Sequence, residues 1–68
     1  MNISWQAEVF ALMKDNSISR NDLAEAAGVT PEYVSMVLNK RRNPAGAESN
    51  FRAAIQKLLY EKEDKHND

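Results

Sequence analysis

Apolar residues return every three or four positions along this chain and never alternate over a run, so the pattern predicts helices and no strand. A first helix is expected from about Trp5 to Lys14, with Trp5, Val9, Leu12 and Met13 on one stripe. Ser4 is its expected cap, and Asp15-Asn16-Ser17 ends it. A second is expected from about Arg20 to Ala27. Ser19 stands at its cap, Asp22 at the capping-box position, and Ile18 is placed to staple onto Leu23. Leu23, Ala26 and Ala27 point inward, with Ala24 beside them. Gly28 then supplies the left-handed residue that closes one helix and turns the chain. Thr30 caps a third helix from about Pro31 to Asn39, proline suits its first position, and Val29 can staple onto Val34. The last helix is expected from Ala47 or Ser49 to about Glu61, with Phe51, Ala54, Ile55, Leu58 and Leu59 on its stripe. The polar loop between Asn39 and Ala47, with Pro44 and Gly46, has room for one more short helical turn. The expected fold class is all-α, a compact four- to five-helix bundle.

Projected at about 100° per residue, the third helix turns Val34, Val37 and Leu38 inward and Glu32, Met36 and Asn39 outward. Ser35 and Tyr33 flank the outer face. A short helix anchored on one side, with methionine and hydrogen-bonding groups on the other, has the shape and chemistry to enter a DNA major groove.

Sixty-eight residues make one small domain that must pack efficiently or associate. It is expected to occupy residues 1–62, followed by a flexible charged tail over 63–68. The net charge of −1 is uneven: residues 61–68 hold four acids and two lysines, leaving seven bases and six acids in residues 1–60. In that body the dense charge is Lys40-Arg41-Arg42, directly after the third helix, and local sign outweighs the total for a polyanionic partner. There is no cysteine, and the single histidine, His66, lies in the tail. With no thiolate, no histidine pair and no paired carboxylates in a plausible cleft, neither enzyme activity nor a cofactor, metal or small-molecule ligand is expected. No apolar stretch approaches the roughly 20 residues that span a bilayer, and no basic segment precedes an apolar one at the amino terminus, so a cytoplasmic location without membrane contact is expected.

The run Arg20 to Asn39 resembles the helix-turn-helix of the phage repressor and Cro family of transcription regulators. Leu23, Ala24, Ala27, Gly28, Val29, Val34 and Val37 occupy that family's apolar and turn positions, and Leu-Asn-Lys-Arg-Arg-Asn-Pro at 38–44 is similar to its continuation. The resemblance implies a five-helix, lambda-repressor-like domain that binds operator DNA as a dimer, with the third helix in the major groove. On that resemblance Arg20 meets the phosphate backbone, and Thr30 with the helix start at Pro31 offers a hydroxyl and amides to a phosphate. Glu32 can accept from a cytosine amino group, Met36 can touch a thymine methyl, and Ser35 and Asn39 can hydrogen-bond in the groove. Tyr33 can place its hydroxyl on a phosphate, while Lys40, Arg41 and Arg42 supply salt-sensitive attraction. The chain departs from the family in having no arginine or glutamine at the base-reading positions of the outer face and a slightly acidic total charge. Moderate selectivity is therefore expected. The expected function is a double-stranded DNA-binding transcriptional regulator, a repressor, acting as a homodimer on its operator. The competing reading is a helical protein-interaction module using the same outer face. Tyr60 points away from its helix's stripe and is either a subunit contact or simply exposed.

Overall fold

In this computed structural model residues 3–66 are described, with side-chain surroundings given for residues 3–62. Four helices follow in chain order: α1 (Trp5–Asp15), α2 (Arg20–Ala27), α3 (Pro31–Leu38) and α4 (Ala47–His66). No strand occurs among the described residues. The loop from Asn39 to Gly46 contains turns and no fifth helix, so the architecture takes the lower of the two helix counts expected.

The helix starts follow from local chemistry. Ser4 Oγ accepts the Ala7 N–H at 3.2 Å, and Thr30 Oγ1 accepts the Tyr33 N–H at 3.1 Å. At α2 the capping box is complete: Ser19 Oγ accepts the Asp22 N–H, and an Asp22 carboxylate oxygen accepts the Ser19 N–H, each at 3.0 Å. Donation to the Asp22 carboxylate, from the Ser19 backbone N–H first and the Ser19 side chain second, holds that carboxyl below its ordinary range, since it favours the charged form.

The ends of α1, α2 and α3 share one device. In α1 the N–H of Ser17 reaches the Lys14 carbonyl (3.3 Å) and that of Ile18 the Met13 carbonyl (2.8 Å). Gly28 and Val29 repeat this onto Glu25 and Ala24, at 3.4 and 2.9 Å, and Lys40 and Arg41 repeat it onto Val37 and Met36, at 3.0 and 2.9 Å. Each is the paired fold-back of a Schellman motif, which requires a left-handed residue at its centre. Gly28 takes φ 76° without cost, whereas Ser17 (φ 56°) and Lys40 (φ 64°) hold the same conformation with a side chain. Ile18 and Val29 each close one helix and staple the next, which keeps the two connections short.

The core joins all four helices: Val9, Met13, Ile18, Leu23, Ala24, Val34, Val37, Ala47, Phe51, Ala54 and Ile55 are buried. Phe51 on α4 is its centre. It is fully buried and meets Trp5 of α1 edge-on (centroids 6.0 Å apart) and Tyr33 of α3 likewise (6.4 Å). Beyond the core, Arg52 on α4 donates to Glu8 of α1 at 2.7 Å and to Glu48 at 2.9 Å. Those two carboxylates, Glu8 first, raise the arginine pKa further above its ordinary value. Asn50 donates to the Ala27 carbonyl at 3.2 Å, and the Lys62 ammonium donates to the Asn16 carbonyl, so α4 ties down the ends of both α2 and α1.

Several expectations are corrected. Leu12 is 37% exposed; the inner face of α1 runs through Gln6, Val9 and Met13, with Trp5 half-buried. On α2 it is Ala24, with Leu23, that is fully enclosed, and Ala26 and Ala27 are only partly covered. Leu38, Leu58 and Leu59 lie at the core's margin. Helix α4 runs on to His66, past the expected end near Glu61, because no glycine or proline interrupts a run of good helix formers. The expected flexible tail at 63–68 falls outside the described side chains.

Candidate nucleic-acid interface

The α2–turn–α3 corner is positioned from within. Ile18 and Leu23 bury the start of α2, while Val34 and Val37 anchor α3 with no exposed surface. Tyr33 fixes the rotation of α3 by setting its ring against Phe51. Three core contacts on one side of an eight-residue helix leave little freedom for the other side. That side carries Pro31, Glu32 and Asn39, all exposed, with Ser35 and Met36 half-buried between them.

The predicted site residues divide into three groups. Thr30, Pro31, Glu32 and Asn39 lie open to solvent where the helix projection places them. The Thr30 hydroxyl oxygen is engaged by the Tyr33 amide but its proton is free to donate, so capping α3 and meeting an acceptor outside are compatible. Asn39 lies one residue beyond the last helical turn and serves as the C-cap of α3, its N–H donating to the Ser35 carbonyl at 2.9 Å.

Ser35, Met36 and Tyr33 are less exposed than an outward or flanking position implies. Arg20 Nη1 donates to Ser35 Oγ at 3.1 Å, so the arginine at the first position of α2 reaches across to the middle of α3. A guanidinium has five N–H donors, and this contact uses one, leaving the rest for an anion. Met36 is half-buried yet lies outside the hydrophobic core, in keeping with its outer position. The Tyr33 ring belongs to the core margin through Phe51, so only its hydroxyl end is a plausible contact.

The basic run is split by the backbone. Left-handed Lys40 closes the Schellman turn of α3, and the N–H groups of Arg41 and Arg42 both fold back on the Met36 carbonyl, at 2.9 and 3.3 Å. Lys40 thereby borders a groove between α1 and α3 that it shares with Arg20, Ser35 and Asn39, whereas Arg42 lies beside Asn43 and Pro44. Lys40 and Arg42 thus lie on different parts of the surface.

Sequence reasoning passed over Gln6. It is 6% exposed and also lines the α1–α3 groove. The signal was present, since Gln6 stands three residues before Val9 and seven before Met13, at the middle of the inner face. Phe10, 53% exposed, lies beside the same groove. Among the described residues no three His, Cys, Asp or Glu side chains stand close enough to hold a metal ion, and no helix is long and apolar enough to cross a membrane.

Comparison with known proteins returns no match among curated proteins and none among solved structures. A helix-turn-helix family model matches residues 9–48, well over half of the chain, from the middle of α1 to the first turn of α4. The matched segment contains the whole stapled α2–α3 corner and the loop carrying Lys40, Arg41 and Arg42. This chain belongs to the helix-turn-helix family of Cro/C1 type, the DNA-binding regulators to which phage repressors and Cro belong.

Proposed function

We propose that the chain recognises a specific double-stranded DNA operator by laying the outer face of α3 in the major groove, and that it represses transcription by occupying promoters near its own gene. The observation that carries this is the one-sidedness of α3, with Val34 and Val37 fully buried while Pro31, Glu32 and Asn39 stay open. In this reading Glu32, Met36, Ser35 and Asn39 face base edges, with Met36 against a thymine methyl. Arg20, Thr30 and the Tyr33 hydroxyl hold phosphates, and Lys40, Arg41 and Arg42 provide the salt-dependent attraction. Two copies bind half-sites about one helical turn apart, because a single small module buries too little DNA for useful affinity. The same reading keeps the protein in the cytoplasm, with the DNA.

A protein-interaction role for the outer face of α3 draws less support. The large exposed apolar side chains, Ile3, Phe10, Leu12 and Tyr60, all belong to other segments, so this face is mainly polar. Selection from random duplexes tests the proposal, with Met36→Ala and Arg42→Ala selected in parallel. A consensus that changes for Met36→Ala, against uniformly weaker binding for Arg42→Ala, is the expected result. Affinity should also fall steeply with salt, with a log–log slope of about −0.9 per phosphate neutralised. A flat salt response with no enriched sequence would transfer the face to a protein partner, and sedimentation showing one copy per site would remove the dimer.

A further inference from the structure

The groove between α1 and the end of α3 has a volume of about 230 Å³, against roughly 30 Å³ for a water molecule. Arg20 and Lys40 border it and no carboxylate does, which concentrates positive charge in a chain whose net charge is −1. Gln6 forms part of its wall. This side chain is more than nine-tenths buried, and among the described residues nothing hydrogen-bonds its amide. Among the described residues no fully enclosed side-chain nitrogen or oxygen lacks a partner, so the Gln6 amide keeps some accessible surface, and Gln6 lines this groove.

The same end of the groove is the start of α1, where Ser4 is both lining residue and cap. Ser4 takes the Ala7 and Glu8 N–H groups through its hydroxyl and carbonyl, at 3.2 and 3.1 Å. Among the described residues the N–H groups of Trp5 and Gln6 have no hydrogen-bond partner, at the positive end of an 11-residue helix. Trp5 is held against Phe51, so this helix start is fixed by the core. Two cations, a buried amide and a helix N-terminus around one open groove are the groups that take an oxyanion.

We propose that one backbone phosphate of the bound duplex seats in this groove, paired with Arg20 and Lys40 and hydrogen-bonded by the Gln6 amide, which makes α1 a third DNA-contacting helix. The inference rests on the major-groove reading above and adds a contact to it. The left-handed turn at residue 40 has a use here, since it places one cation of the basic run opposite Arg20.

Nitrogen–proton correlation spectra of the full chain, titrated with a mixed-sequence duplex of about 20 base pairs at about 50 mM salt, provide the test. The Gln6 side-chain amide and the Trp5 and Gln6 backbone amides should shift with the same midpoint as Glu32 and Asn39. If Glu32 and Asn39 move while residues 5 and 6 stay still, the groove is not a phosphate seat, although the α3 reading survives. If none of them moves, the DNA reading itself fails. Inorganic phosphate alone at about 10 mM should produce only weak, unsaturated shifts; saturation well below that would mean a free-anion site and overturn the proposal. Lys40→Gln should lower the salt slope by about one unit, and Gln6→Leu should weaken binding about 2- to 10-fold. An unchanged slope for a folded Lys40→Gln protein counts against the seat even if the Gln6 variant does not fold.

Discussion

A left-handed residue closes each of α1, α2 and α3, and only the one after α2, Gly28, is glycine. At Gly28 a Cβ would meet nothing within 4 Å, so the cost of replacing it lies in the backbone torsion alone. Gly28→Ala is expected to lose about 1 kcal/mol, the left-handed penalty less the gain from a stiffer unfolded chain. Lys40→Gly works in the opposite sense, relieving φ 64° at a turn whose two hydrogen bonds are already in place. It should gain about 0.5–1 kcal/mol in urea unfolding, even as it removes a charge the proposed interface uses. A loss of stability in Lys40→Gly would contradict the left-handed turn at the end of α3.

At the level of elements, α2 and α3 are eight residues each, too short to hold together by backbone hydrogen bonding alone, so caps and staples decide where they begin. The capping box of α2 makes this dependence visible in pH. Asp22 has its pKa depressed in the folded chain, so its contribution is present above the ordinary carboxylate range and disappears as pH falls through the lower folded value. Compared with Asp22→Asn, the wild type should melt at higher temperature near neutral pH, with the difference closing toward pH 2. An equal difference at both ends would show that charge is not what holds the cap. These caps were legible in advance because Ser19, Asp22, Thr30 and Pro31 act on neighbours within four residues. The closures at Ser17 and Lys40 were not, because neither residue type advertises a left-handed backbone.

For the whole molecule the decisive contact is Phe51, whose ring meets both Trp5 of α1 and Tyr33 of α3. Phe51→Ala should cost about 3–5 kcal/mol, set against a total of roughly 3–10 kcal/mol for a domain of this size. The variant is therefore expected to be largely unfolded by circular dichroism, with DNA binding lost, whereas Phe51→Leu keeps the helices and loosens the rotation of α3. Full stability in Phe51→Ala would mean that the core does not converge there. The Arg52 bridge between Glu8 and Glu48 is exposed and secondary to this packing.

The order and boundaries of α1 to α3, the position of the sharp turn and the apolar anchor of α3 were determined by the sequence alone. Periodicity, caps and proline act over a turn or less and need no tertiary partner. The placement of residues that face several neighbours was decided only in three dimensions. Leu12 turned outward and Gln6 inward because the rotation of α1 is set by Trp5 on Phe51 and by Arg52 on Glu8, partners more than forty residues away in the chain. The separation of Lys40 from Arg42, and the meeting of Lys40 with Arg20 and Gln6, likewise depend on how four helices pack. A local pattern can state which face of a helix is apolar, but the groups that share a groove are chosen by contacts between distant segments.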